Sequence, residues 1–168
     1  MKKEFIRLLI LLVIYTLAAP WVSHAEYENP NPSDACNFMS AMGMNTGSNR
    51  DPDGFWYFCS STYKELGTSF PMKNNSAYYA EGSEQKVTKL KLLLNVNSKQ
   101  EAKQAHTELK NSADALLRKA LNAPLPQEAK KAILAGSSGN WKIGNAKVSV
   151  IRADWPTGKG YEIKFIVE

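Results

Sequence analysis

Apolar and polar residues alternate most regularly between Lys89 and Val96. Leu90, Leu92, Leu94 and Val96 fall on one side of an extended chain, with Lys89, Lys91, Leu93 and Asn95 on the other. A period of two predicts a strand with one buried face. The period then changes. Ala102, Ala105, Leu109, Ala113, Leu116 and Ala120 recur every three or four residues, which predicts a helix to about Leu121. Ser98 and Glu101 stand ahead of it at S-x-x-E spacing, the pattern of a capping box. "NAPLP" breaks that helix. A second follows in "PQEAKKAILAG", with Pro126 suited to its first position and Gly136 to its end.

Upstream, Ser33 can cap a short helix whose face carries Ala35, Phe38, Met39 and Met42, and Gly43 stops it. "NTGSNRDPDG" reads as a loop. "FWYFCSS" is apolar on both faces, which predicts a strand that is central in the sheet or covered on both sides. "SAYYAEG" is a further strand. Downstream, "NWKIGNAKVSVIRADW" and "GYEIKFIVE" form strands joined by the turn "DWPTGKG". Tyr161, Ile163, Phe165 and Val167 share one face of the last. The expected order is α-β-β-β-α-α-β-β. Strands grouped in hairpins, with a two-helix block inserted between them, predict an α+β single domain with a mainly antiparallel sheet.

The start of the chain bears on compartment. "MKKEFIR" is basic, "LLILLVIYTLAA" is apolar but short, and Ser23 and Ala25 place small residues before a cleavage point. Residues 1–25 thus read as a cleaved signal peptide, 26–32 as an extended leader rich in Pro and Asn, and 33–168 as the domain. No other apolar stretch is long enough for a stable membrane span after cleavage. Losing Lys2, Lys3, Arg7 and Glu4 takes the formal charge from +5 to +3. The remaining charges are interspersed, as in "KQEAKQAHTELK", a solvated surface that argues against nucleic acid as a partner. In an exported, periplasmic or secreted chain, Cys36 and Cys59 are expected to form a disulfide.

Candidate chemistry is sparse. One histidine, His106, remains after the leader, beside the apolar stripe of the long helix. It is expected to pack there as a boundary residue and leaves no basis for a His metal cluster. "TGKG" lacks the flanking residues of a phosphate loop, with Ala153 and Gly160 where Gly and Ser or Thr belong. Asn49, Asp51 and Asp53 before Gly54 match the first half of a calcium loop. Ser60 stands where the closing Glu should be, so this candidate is weak. No cofactor motif is present. Asp154 beside Trp155 is the one acid in an aromatic setting, and Trp155 or Trp141 could stack on a sugar, although packing is the expectation for both. These features predict a small non-catalytic binding or accessory protein of the bacterial envelope, of inhibitor or immunity type, whose partner is a protein or envelope component. The alternative is a carboxylate-based envelope hydrolase acting on glycan or peptide. If binding is the function, Tyr78 and Tyr79 point opposite ways from their strand, and the exposed one is expected to form a contact patch with Trp155.

Overall fold

The computed structural model describes residues 30–50, 57–83 and 85–168. The expected signal peptide, most of the leader, Asp51, Asp53 and Trp56 lie outside the described residues. The elements run α1 (Pro32–Asn37), β1 (Thr46–Arg50), β2 (Tyr57–Ser61), β3 (Lys64–Leu66), β4 (Asn74–Gly82), β5 (Val87–Val96), α2 (Ala102–Leu121), α3 (Gln127–Ala135), β6 (Gly139–Ile143), β7 (Ala146–Asp154) and β8 (Tyr161–Val167). The eight strands form one sheet in the order β1-β2-β4-β5-β8-β7-β6, with β3 pairing β4 beyond the end of β2. All pairings are antiparallel. The fold is the expected α+β domain, with its helices on one side of an antiparallel sheet.

The period-two pattern decides which face the helices cover. Leu90, Leu92 and Leu94 of β5 pair laterally with Val167, Phe165 and Ile163 of β8, and all six are fully buried. Tyr78 and Ala80 extend this face across β4, and Val148 and Val150 across β7. Ala105, Leu109, Ala113, Leu116 and Leu117 of α2 and Ala129 and Ile133 of α3 complete one continuous core. The opposite face is largely polar. Asn75 and Asn95 bond across β4 and β5, Lys91 and Lys89 reach Glu81, and Lys164 reaches Glu162.

At the start of the domain, Cys36 of α1 and Cys59 of β2 are joined, closing a sequence separation of 23 residues. Such a closure contributes about 3 kcal/mol by restricting the unfolded chain. The Tyr78 hydroxyl donates to the Ala35 carbonyl at 2.7 Å, a second tie between α1 and the sheet.

Five expectations need correction. Asn31, rather than Ser33, caps α1, its Oδ1 accepting from the Ser33 N–H at 2.9 Å because Pro32 occupies the first turn. Residues 46–50 are a strand along β2 instead of loop, ordered by the neighbouring ladder and not by any apolar pattern of their own. β2 is not covered on both faces. Cys59 is buried against α1, whereas Phe58 lies on the uncovered face and is 40% exposed. Residues 139–154 form a hairpin, β6 and β7, about the two-residue turn Gly144–Asn145, instead of one strand. Finally, Ser98 and Glu101 form no capping box. Residues 99–101 make a 3-10 turn without a side-chain cap, and both side chains are engaged by the β3–β4 loop instead.

Candidate functional site

Antiparallel pairing brings three loops to one end of the sheet. β4 begins at Asn74, β5 ends at Val96, β7 ends at Asp154 and β8 begins at Tyr161; Asn75 pairs Asn95, Val96 pairs Tyr161 and Asp154 pairs Tyr161. Residues 67–73, 97–101 and 155–160 therefore meet there. Between them lies a groove of about 560 Å3, bordered by Phe70, Met72, Asn97, Gln100, Trp155 and Lys159. Phe70 is 94% exposed and Met72 61%. Large apolar side chains this open to water are uncommon on a turn, where polar residues satisfy the loop backbone.

The loops are held by polar side chains. Asn74 is fully buried, and its amide acts as a short strand: Nδ2 donates to the Ser98 carbonyl at 3.1 Å and Oδ1 accepts from the Ser98 N–H at 2.8 Å. Asn97 Nδ2 donates to the Lys73 carbonyl at 2.6 Å, and the Ser69 hydroxyl donates to that of Ser98 at 2.8 Å. Glu101 accepts from the Thr68 N–H at 3.1 Å and the Ser69 N–H at 3.3 Å. Hydrogen bonds from Ser69 and Thr68 hold its carboxyl below the usual carboxylate range. Gly67, at φ 81°, makes this approach possible, since a methyl group there would collide with the Glu101 carboxylate. On the other side, Lys99 Nζ donates to the Gly158 carbonyl at 2.8 Å, tying the β7–β8 turn to the start of α2. The half-buried Trp155 ring lies over Gly160, where a side chain would strike both the ring and the Val96 carbonyl.

The tyrosine pair behaves as strand alternation requires. Tyr78 is buried under α1. Tyr79 is half-buried on the uncovered face, with Lys91 Nζ 4.4 Å from its ring centroid and its hydroxyl donating to that of Tyr63 at 3.5 Å. Burial, reinforced by Tyr63 and Glu81, pushes its phenol up to about 12. Tyr79 and Trp155 do not meet. Tyr79 pairs Lys91, while Trp155 follows the residue paired to Tyr161, opposite Val96. The five residue steps from Lys91 to Val96 span about 17 Å of strand. Among the described residues, Phe58 and Tyr63, 40% and 53% exposed, are the other large exposed aromatics on the Tyr79 side.

His106 is more deeply placed than a boundary residue, at 6% exposure. Nδ1 lies 3.0 Å from the Leu134 carbonyl and Nε2 2.9 Å from the Tyr161 hydroxyl. A carbonyl only accepts, so Nδ1 carries a proton, and in the neutral ring Nε2 accepts from the Tyr161 hydroxyl. Arg152 stacks 3.7 Å from the Tyr161 ring centroid and binds Asp154 at 2.7 Å. Asp154 is accordingly held below the usual carboxylate range by the Arg152 guanidinium. This cluster fastens α2 and α3 to β7 and β8. Among the described residues, no group of three or more His, Cys, Asp or Glu side chains is arranged to hold a metal. Of the calcium-loop candidate, Asn49 lies in β1, and Asp51 and Asp53 are outside the described residues.

Trp155 was readable from the sequence as a candidate. Phe70 and Met72 were missed, although "SFPMK" between a glycine and a polar strand start is an apolar triplet where turn chemistry predicts none. Asn74 carried no signal beyond its residue type, and Glu101 was legible only as half of a capping box that it does not form. No protein-family model matches the chain, and comparison with curated proteins and with solved structures finds no match.

Proposed function

We propose that this is an exported, non-catalytic binding or accessory protein of the bacterial envelope, of inhibitor or immunity type. Its contact surface is the end of the sheet where Phe70, Met72 and Trp155 gather. The observation that carries this reading is a 94% exposed phenylalanine on a loop fixed by side-chain hydrogen bonds to Ser98 and Glu101. A fixed apolar tip costs little further ordering on binding, which is how rigid aromatic anchors contribute affinity. The basic, apolar and small-residue succession of residues 1–25, together with the disulfide, supports export to the periplasm or beyond. No helix among the described residues is long and apolar enough to cross a membrane. Among the described residues, two acids of the loop end are already engaged, Asp154 by Arg152 and Glu101 by the backbone of Thr68 and Ser69, and this favours binding over carboxylate hydrolysis.

A photo-reactive residue placed at position 70, with a control at Ile151 on the uncovered face, tests the assignment in intact cells. Cross-linking of an envelope component from position 70 and not from 151 is the expected result. Equal labelling from both positions, or none from either, would remove the loop end as the contact surface.

A further inference from the structure

We propose that this loop end docks on an anionic phospholipid surface, with Phe70 and Met72 entering the interface and Lys159 and Lys99 meeting headgroup phosphates. The inference rests on the reading of the loop end as the contact surface and names what it contacts. Shape comes first. Phe70 is 94% exposed and Met72 61%, on either side of Pro71. A side chain that protrudes so far must find a matching pocket on a protein partner, whereas the boundary between headgroups and acyl chains accepts it without one. Trp155, half-buried at the same groove, is the residue type that favours that boundary, with an apolar ring and one N–H donor.

Charge supplies the second argument. Among the described residues, the groove is lined by a single charged side chain, Lys159, and by no acid. Lys99 stands beside it, with its ammonium on the Gly158 carbonyl. Of the neighbouring acids, Asp154 is matched by Arg152 and Glu65 by Lys73; Glu101 keeps its charge, but it is turned to the Thr68 and Ser69 backbone and does not line the groove. An apolar tip flanked by cations complements an anionic interface. Two apolar side chains and two lysines give weak, reversible attachment, comparable in kind to a single short lipid anchor.

The test uses the protein purified after export, with its N-terminus determined. It is sedimented with vesicles of phosphatidylglycerol and phosphatidylethanolamine, and in parallel with phosphatidylcholine alone. The expected result is binding to the anionic vesicles that weakens as salt rises from about 0.1 M to about 0.5 M. Phe70→Ser lowers partitioning about tenfold, the effect of losing one large buried apolar side chain, and leaves the melting temperature unchanged. Met72→Ser serves as the second variant should Phe70→Ser alter folding. Lys159→Gln lowers binding about fivefold on anionic vesicles only. Absence of sedimentation, or equal partitioning of wild type and both serine variants, overturns lipid docking. If vesicles fail while position 70 cross-links a protein in cells, the lipid inference falls and the contact surface stands. If both fail, both readings fall.

Discussion

Gly67 is the residue on which the loop end turns. Its φ of 81° lies where a side chain is strained, and an added methyl would occupy the space of the Glu101 carboxylate. Gly67→Ala should therefore cost about 1–2 kcal/mol from backbone conformation alone, plus the displaced bonds to Thr68 and Ser69. Denaturant unfolding measures the loss, and a variant as stable as wild type would show that the loop tolerates a different path. His106 tests a second kind of dependence. His106→Leu fills the space but leaves the Leu134 carbonyl and the Tyr161 hydroxyl without their partner. The expected loss is about 1–3 kcal/mol, because the buried Tyr161 hydroxyl, and to a lesser degree the part-buried Leu134 carbonyl, lose their hydrogen bonds. His106→Asn, whose amide nitrogen falls near the place of Nδ1, should lose less. Equal stability of the Leu and Asn variants would mean that the ring acts by packing alone.

At the scale of elements, sequence and structure agree where burial imposes a period. β5, β8, α2 and α3 lie where their apolar spacing places them, since each presents one face to the common core. The elements that were not legible obey no such constraint. β1 and β3 are short, polar and near the edge, and their extended form comes from pairing with β2 and β4. The turn at Gly144–Asn145 was a readable hairpin signal, hidden inside a run with strand character on both sides. The groove was illegible for another reason. Its walls come from residues 70–72, 97–100 and 155–159, and only the sheet order brings them together. Asn74 shows how such a junction is held, and Asn74→Ala should cost about 2–4 kcal/mol by leaving the backbone N–H and carbonyl of Ser98 without partners. The consequence is local as well as global. Amide hydrogen exchange at residues 97–99 should accelerate more than in β8, and uniform acceleration would show that the clamp does not act on the loop specifically.

The whole molecule should have a stability plateau bounded by carboxylates on the acid side and tyrosines on the alkaline side. Glu81, Asp114, Glu101 and Asp154 all titrate below their usual range when folded. For Glu81 and Asp114 burial opposes the shift, and Lys91 and Lys89, or Arg118 and the Leu125 N–H, outweigh it; for Glu101 and Asp154 hydrogen bonds from Ser69 and Thr68, or from Arg152, lead. A depressed folded value means that the unfolded chain takes up protons first. The stabilisation is therefore complete above about pH 4–5 and is lost as pH falls through the folded values. The tyrosines act in the opposite sense. Burial raises both Tyr79, to about 12, and Tyr161, so the folded state keeps its phenolic protons longer than the unfolded chain. Their contribution is full below about pH 10, the ordinary tyrosine value, and Tyr79's disappears as pH rises from there to about 12. Melting temperature followed across pH should be flat between these limits and fall on both flanks. Tyr79→Phe removes the phenol from the uncovered face while keeping the ring under Lys91, so the alkaline fall should become shallower and the acid flank should not move. An alkaline flank identical in wild type and Tyr79→Phe would show that the phenol near Tyr63 and Glu81 does not couple to folding.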